Sequence, residues 1–227
     1  YAFGATDGVV GSQFDDQADS FTVNFGDGTA LLVTDSLAGI THVYADDGVY
    51  TVRLTVTDDV GLTHFDEMDV TVNNVDPVVD AGSDDETNEG TAISLASTFT
   101  DVGTADTHTA TIDWGDLGVL ESVNPATSPI TNTHTYVDNG VYIVTVTVTD
   151  DDGGFSSDTL TVTVNNVAPT VELLVPPEGD NVNGNVNVTW VISDPSNDTI
   201  YNILRYSGDS GATWTTLTSG YHDYVTA

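Results

Sequence analysis

The sequence predicts an all-β protein made of tandem antiparallel β-sandwiches. Three observations carry this. Apolar residues alternate with a period of two, a long stretch occurs twice, and clusters of Gly, Asn and Asp interrupt the alternation at short intervals. A period of two puts successive side chains on opposite sheet faces, so one face is buried and the other wet. Clusters of Gly, Asn and Asp supply the turns between such strands. No segment of helical period is long enough to matter.

The alternation is cleanest where Tyr50, Val52, Leu54 and Val56 share one face, and again where Tyr142, Val144, Val146 and Val148 do. Thr fills the opposite face, as its β-branching favours. The segment 92–97 (Ala-Ile-Ser-Leu-Ala-Ser) reads as an inner strand of the second repeat. In the last part of the chain, residues 170–175, 186–192 and 200–206 read as strands. They are followed by Ser207-Gly-Asp209-Ser-Gly-Ala-Thr-Trp214, an Asp-box pattern in which Asp209 bonds the turn backbone and Trp214 packs beneath.

The two copies of the long repeat are offset by 92 residues, as from His42 to His134, from Gly48 to Gly140 and from Asn73 to Asn165. Upstream, Phe25-Gly-Asp27-Gly answers Trp114-Gly-Asp116-Leu117-Gly at an offset of about 89. That spacing suits one sandwich per repeat. The aromatic-Gly-Asp strand end, the His-x-Tyr and the Gly-x-Tyr-x-Val-x-(Leu/Val)-Thr-Val-Thr-Asp run resemble the polycystic kidney disease (PKD) domain. The resemblance implies immunoglobulin-like antiparallel β-sandwiches. The second repeat departs from it at Leu117, where the family usually has Gly. The expected organisation is a PKD-like domain over 1–76 lacking its first strands, a complete one over 77–167, and a partial immunoglobulin- or fibronectin-like domain over 168–227. The first repeat has no counterpart of the 92–97 strand, so an open sandwich could accept a strand from a neighbouring copy and polymerise. A plain cut through the domain accounts for the same gap.

Charge narrows the function. There are 36 acidic residues against two basic ones, Arg53 and Arg205, for a formal charge of −34. Phosphate neutralisation needs Lys and Arg, so nucleic acid is not an expected partner, and neither is an anionic membrane surface. Such a chain repels itself unless salt screens it or cations bind it. A high-salt setting and a calcium-loaded protein are both compatible with that. Cysteine is absent, so no disulfide, zinc-thiolate site or cysteine nucleophile exists. No apolar run is long enough for a membrane helix. Any export signal is expected to have been removed or to lie upstream of Tyr1.

The joints between repeats are the expected sites. Asn73, Asn74 and Asp76 lead into the second repeat, whose loops hold Asp101, Asp106, Asp150, Asp151 and Asp152. Asn165 and Asn166 precede the loop holding Asp194, Asn197 and Asp198. The equivalent acids of the first repeat are Asp7, Asp15, Asp16, Asp58 and Asp59. Calcium takes roughly six to eight hard oxygens in flexible geometry, which converging carboxylates and amides supply. The resemblance points the same way, since some PKD domains bind calcium near the entering linker. The same acids also fit solvated turns of an acidic surface.

Asp27 and Asp116 read as turn caps, and His42 and His134 as structural. The histidines show no zinc spacing, and no nucleophile elbow or P-loop occurs. Trp114, Trp190 and Trp214 fit sandwich cores better than a sugar platform. Asn187 and Asn197 open glycosylation sequons.

The expectation is therefore a non-catalytic extracellular array, a surface, adhesive, sheath or filament component stiffened by calcium. Its expected partners are neighbouring copies, other surface proteins or polysaccharide. An accessory module holding a secreted protease or chitinase on its polymer is the alternative.

Overall fold

The computed structural model describes residues 18–181, 183–196 and 198–222. These residues form strands and no helix, so none is long and apolar enough to cross a membrane. The strands are β1 (Ala18–Asn24), β2 (Leu32–Thr34), β3 (Gly48–Asp58), β4 (Thr63–Val72), β5 (Val78–Asp80), β6 (Asp85–Asn88), β7 (Ala92–Thr100), β8 (His108–Asp113), β9 (Glu121–Val123), β10 (Ile130–Thr135), β11 (Gly140–Asp150), β12 (Phe155–Asn165), β13 (Thr170–Val175), β14 (Thr189–Ser193), β15 (Ile200–Tyr206) and β16 (Thr215–His222). They belong to two compact units. One is the described part of Tyr1–Val78 with Thr100–His108 and Thr149–Ser156; the other is the described part of Val79–Phe99, Thr109–Val148 and Ser157–Ala227.

The first unit is built on one antiparallel sheet, ordered β2-β1-β3-β4. Val52 stands opposite Met68 and Tyr50 opposite Val70. Its buried apolar cluster is small: Val23, Phe25 and Val52, with Leu37, Ile40, Tyr44, Leu54 and Val70 packed against it. Arg53 pairs with Glu67 across the strands at 2.6 Å and lies over the Phe65 ring. Both partners are half-exposed, so the pair adds little to stability.

The second unit carries the main core, between a sheet ordered β10-β7-β5 and one ordered β6-β12-β11-β8-β9. β6 runs parallel to β12, pairing Asp85 with Val162. The expected inner strand 92–97 is β7, and it buries Ile93, Leu95 and Ser97. The alternation of β11 is realised: Val144, Val146 and Val148 are fully buried, and Tyr142 packs against the same core. Fully burying a Val contributes roughly 1.5–3 kcal/mol.

The third segment contributes two separate hairpins, β13-β14 and β15-β16. Strand β14 starts at Thr189, three residues later than the alternation from 186 predicts. The Asp box forms as expected. Asp209 accepts hydrogen bonds from Ser207 Oγ (2.7 Å), Thr213 N (2.7 Å) and Thr213 Oγ1 (2.6 Å). The Thr213 hydroxyl, its amide and Ser207 hold the Asp209 carboxyl down at about 2. Trp214 departs from expectation: it is 61% exposed, because the described residues of these hairpins close no core over it.

The repeated motif is a stack. Phe25 stacks on His42, His42 meets Tyr44 edge-on, and Tyr44 stacks on Tyr50. Trp114, His134, Tyr136 and Tyr142 repeat the arrangement. The Tyr44 hydroxyl donates to Phe25 O, and the Tyr136 hydroxyl to Trp114 O at 2.9 Å. Asp27 caps its turn through Thr29 N (3.1 Å), as the sequence suggests, and also binds His42 Nε2 at 2.6 Å. Burial alone would raise the Asp27 carboxyl, but the bonds from Thr29 and His42 outweigh it and bring it down to about 2. Asp116 pairs with His134 in the same way, at 2.8 Å. Leu117 takes a φ of 65°, the left-handed region where Gly28 sits in the first repeat. A side chain there costs roughly 1–2 kcal/mol, which accounts for the family's glycine.

Candidate metal-binding loop clusters

Tyr50 donates its hydroxyl to Asp46 O at 3.0 Å, so the motif of the first repeat also fixes the loop before β3. Ala105 N donates to Ala45 O at 3.0 Å, which brings that loop beside 101–106. Within this one unit, single oxygens of Asp101, Asp106 and Asp150 lie within 4.8 Å of one another. Asp46, Asp106 and Asp152 form a second triad of the same size, so Asp106 belongs to both.

Each acid is held differently. Asp101 accepts from Gly103 N (3.0 Å) and pairs with His108 (2.9 Å). Asp150 accepts from Asp152 N and Gly154 N through Oδ1, and from the Asn74 amide at 2.8 Å through Oδ2. Asp106 Oδ1 is buried without a hydrogen-bond partner. Two glycines make room. A Cβ on Gly154 would stand 2.6 Å from Asp76 Oδ1 and Asn74 Nδ2, and about as near Asp150 Oδ2. A Cβ on Gly103 would collide with the Asp106 carboxylate. The donors are hard oxygens crowded on a cradle that any side chain would fill, and they fit calcium.

Several expected ligands do other work. Asp151 accepts from Thr107 N at 2.8 Å and so holds the 101–108 loop. Asp58 caps its own hairpin through Val60 N and Leu62 N, as Asp150 does, and Asp59 is exposed. Asn73 is exposed. Asn165 donates to Glu86 at 2.8 Å, and Asn166 is exposed. Asn187 is exposed. Asp7, Asp15, Asp16 and Asn197 lie outside the described residues. Two residues escaped the sequence reading, Asp46 and Glu89. The Asp46-Asp47-Gly48 run before β3 was a signal for the first; Glu89 sits in a short Asn-Glu-Gly turn that nothing marks as special.

In the second unit, single oxygens of Glu89, Asp194 and Asp198 come within 4.8 Å of one another. Gly90, at φ 71°, lets this turn close on Pro195.

The crowding has a pH consequence. The Asp152 carboxyl is pushed up to about 6, mainly by loss of solvent, then by its hydrogen bond to Asp47 and the charges of Asp47, Asp151 and Asp46. The unfolded value is about 4. The folded state therefore holds this proton more tightly. The stabilisation is fully present below about pH 4 and is lost as pH rises through about 6. In chelator, wild-type protein is expected to gain thermal stability from pH 7 to pH 5, and Asp152→Asn to gain less. Equal gains in both would remove Asp152 as the cause.

The PKD domain family profile matches residues 6–72 and 74–164, more than half of the chain. No curated protein matches. Among solved structures, the PKD domain of an M14-like peptidase from Thermoplasmatales archaeon SCGC AB-540-F20 is 30% identical, over 39% of this chain and 92% of that one, with a TM-score of 0.34. A tetra-tandem repeat from the extending region of a large adhesion protein is 20% identical, over 89% of this chain and 57% of that one, with a TM-score of 0.41. Fibronectin(III)-like modules of Clostridium thermocellum CbhA are 15% identical, over 68% and 82%, with a TM-score of 0.34.

Proposed function

Because the chain belongs to the PKD domain family, whose modules are typically extracellular and non-catalytic, we propose that it is a structural or adhesive array stiffened by calcium. The observation that carries this reading is the shared Asp106, which has one buried, unpartnered oxygen and belongs both to the triad with Asp101 and Asp150 and to the triad with Asp46 and Asp152. The loop before β3 and the 101–106 loop belong to different repeats. Without an ion their carboxylates repel; the Ala105–Ala45 bond joins the two loops, and Asp47 meets Asp152 of the β11–β12 turn beside them. A divalent cation turns that repulsion into attraction. Asp46, Asp101, Asp106, Asp150 and Asp152 would hold it, with Asp76 and Asn74 at the edge of the cradle.

Small-angle scattering tests this directly. At fixed ionic strength, the chain is expected to give a longer, narrower distance distribution in calcium than in chelator. Superimposable profiles would sink calcium stiffening. Partners of such an array are neighbouring copies, other surface proteins or polysaccharide.

One observation favours the second reading, an accessory module of a secreted hydrolase. The third segment holds an open cleft of about 590 Å³ lined by Leu173, Trp190, Tyr201, Ile203 and the exposed Trp214. Trp114 takes no part in any sugar platform, because it is buried in the core of the second unit. Retention on insoluble chitin or cellulose, lost in Trp214→Ala, would favour this reading.

A further inference from the structure

Glu89 and Asp194 are each only 1% exposed, and each leaves one carboxylate oxygen without a partner. The other oxygens are engaged. Glu89 Oε1 accepts from Val167 N at 2.6 Å. Asp194 Oδ1 accepts from Ser196 N (2.9 Å) and Ser196 Oγ (2.6 Å). The backbone holds the turn in place: Glu89 N donates to Asn165 O, and Gly90 N to Tyr136 O. Among the described residues of the third segment, the buried ones are Asp194 and Ser196, both polar. The dry part of that segment is therefore polar and belongs to this cluster.

Such an arrangement is unfavourable as it stands. A buried carboxylate oxygen without a hydrogen bond costs its full desolvation, and a second and third acid within 4.8 Å add repulsion. Among the described residues no basic side chain relieves it. Arg53 is engaged with Glu67, and Arg205 lines the cleft of the third segment. The missing partner must be positive and must accept oxygen donors alone, since no His or Cys belongs to the cluster.

We infer that Glu89, Asp194 and Asp198 hold a cation, and that it is calcium. It fastens Asp194 and Asp198 to the turn between β6 and β7. Three carboxylates from two separately anchored backbone segments suit calcium's irregular oxygen shell better than the strict octahedron of magnesium. The site shares no residue with the Asp106 cluster; it rests on the calcium reading of that cluster only for the choice of ion.

Calorimetric titration of the full chain with calcium tests it, in excess magnesium, with circular dichroism confirming each variant's fold. Glu89→Gln and Asp198→Asn are each expected to bind one ion fewer than wild type, while Asp106→Asn keeps this ion. Asp198 is less buried than Glu89, so its variant remains informative if Glu89→Gln unfolds. Unchanged stoichiometry and affinity in both Glu89→Gln and Asp198→Asn would overturn the site, even if Asp106→Asn lost an ion. Loss confined to Glu89→Gln and Asp198→Asn would support it and count against the Asp106 cluster instead. Displacement by magnesium would overturn the choice of ion, and a wild type that binds no calcium would overturn both sites.

Discussion

Gly115→Ala is expected to destabilise the second sandwich by about 3 kcal/mol or more. Two effects combine. Gly115 sits at φ 77°, where a side chain is strained. A Cβ there would also stand 2.5 Å from Ile143 O and 3.1 Å from Ile143 N, which are backbone atoms of β11 and cannot swing aside. Gly26 meets Thr51 O at 2.6 Å in the same manner. Relief would require β11 to move away from Trp114, whose carbonyl receives the Tyr136 hydroxyl. Gly153→Ala separates the two effects. Gly153 has φ 90° but open space around it, so only the strain of roughly 1–2 kcal/mol applies. Urea unfolding of both variants makes the comparison. Equal losses would mean that the contact with β11 contributes nothing.

Calcium is expected to raise the stability of wild type, and Asp106→Asn to lose that gain and reverse the order of the two proteins in chelator. An ion present at a hundred times its dissociation constant adds about 2.7 kcal/mol per site. Asp106 contributes to both triads of its cluster, so its replacement weakens both at once. In chelator the same change removes a carboxyl that burial and the charges of Asp101, Asp46, Asp151 and Asp150 push upward, so the variant becomes the more stable protein. Thermal melts in calcium and in chelator show the crossing. Equal calcium gains in wild type and Asp106→Asn would place the ion elsewhere.

The sequence by itself determined the strand character of its alternating segments and the repeated motif. Alternation in β11 specifies which side chains are buried, because a strand's two faces follow from a period of two and need no knowledge of the partner strand. The aromatic-Gly-Asp and His-x-Tyr elements were legible as a pair, since both recur at a fixed offset. What they build was less legible: Asp27 and Asp116 cap turns, as their position after Gly suggests, and their bonds to His42 and His134 bridge 15 and 18 residues.

The acids divide along the same line. That Asp101, Asp106 and Asp150 lie in loops was readable, but abundance hid which of them converge. Asp151 and Asp58 have the same local setting as true cluster members and spend their oxygens on backbone amides instead. Asp46 and Glu89 show the limit most plainly. The Asp46-Asp47-Gly48 run marks a turn without saying what Asp46 meets, and nothing local distinguishes Glu89 from any other turn acid. Asp46 is placed by the Tyr50 hydroxyl and, through Ala45 O, by the distant Ala105 amide, and Glu89 by Asn165 O and Val167 N, far away in the chain. Burial of a charge is a property of what the remaining chain packs around it, so only the tertiary structure decided where these carboxylates meet.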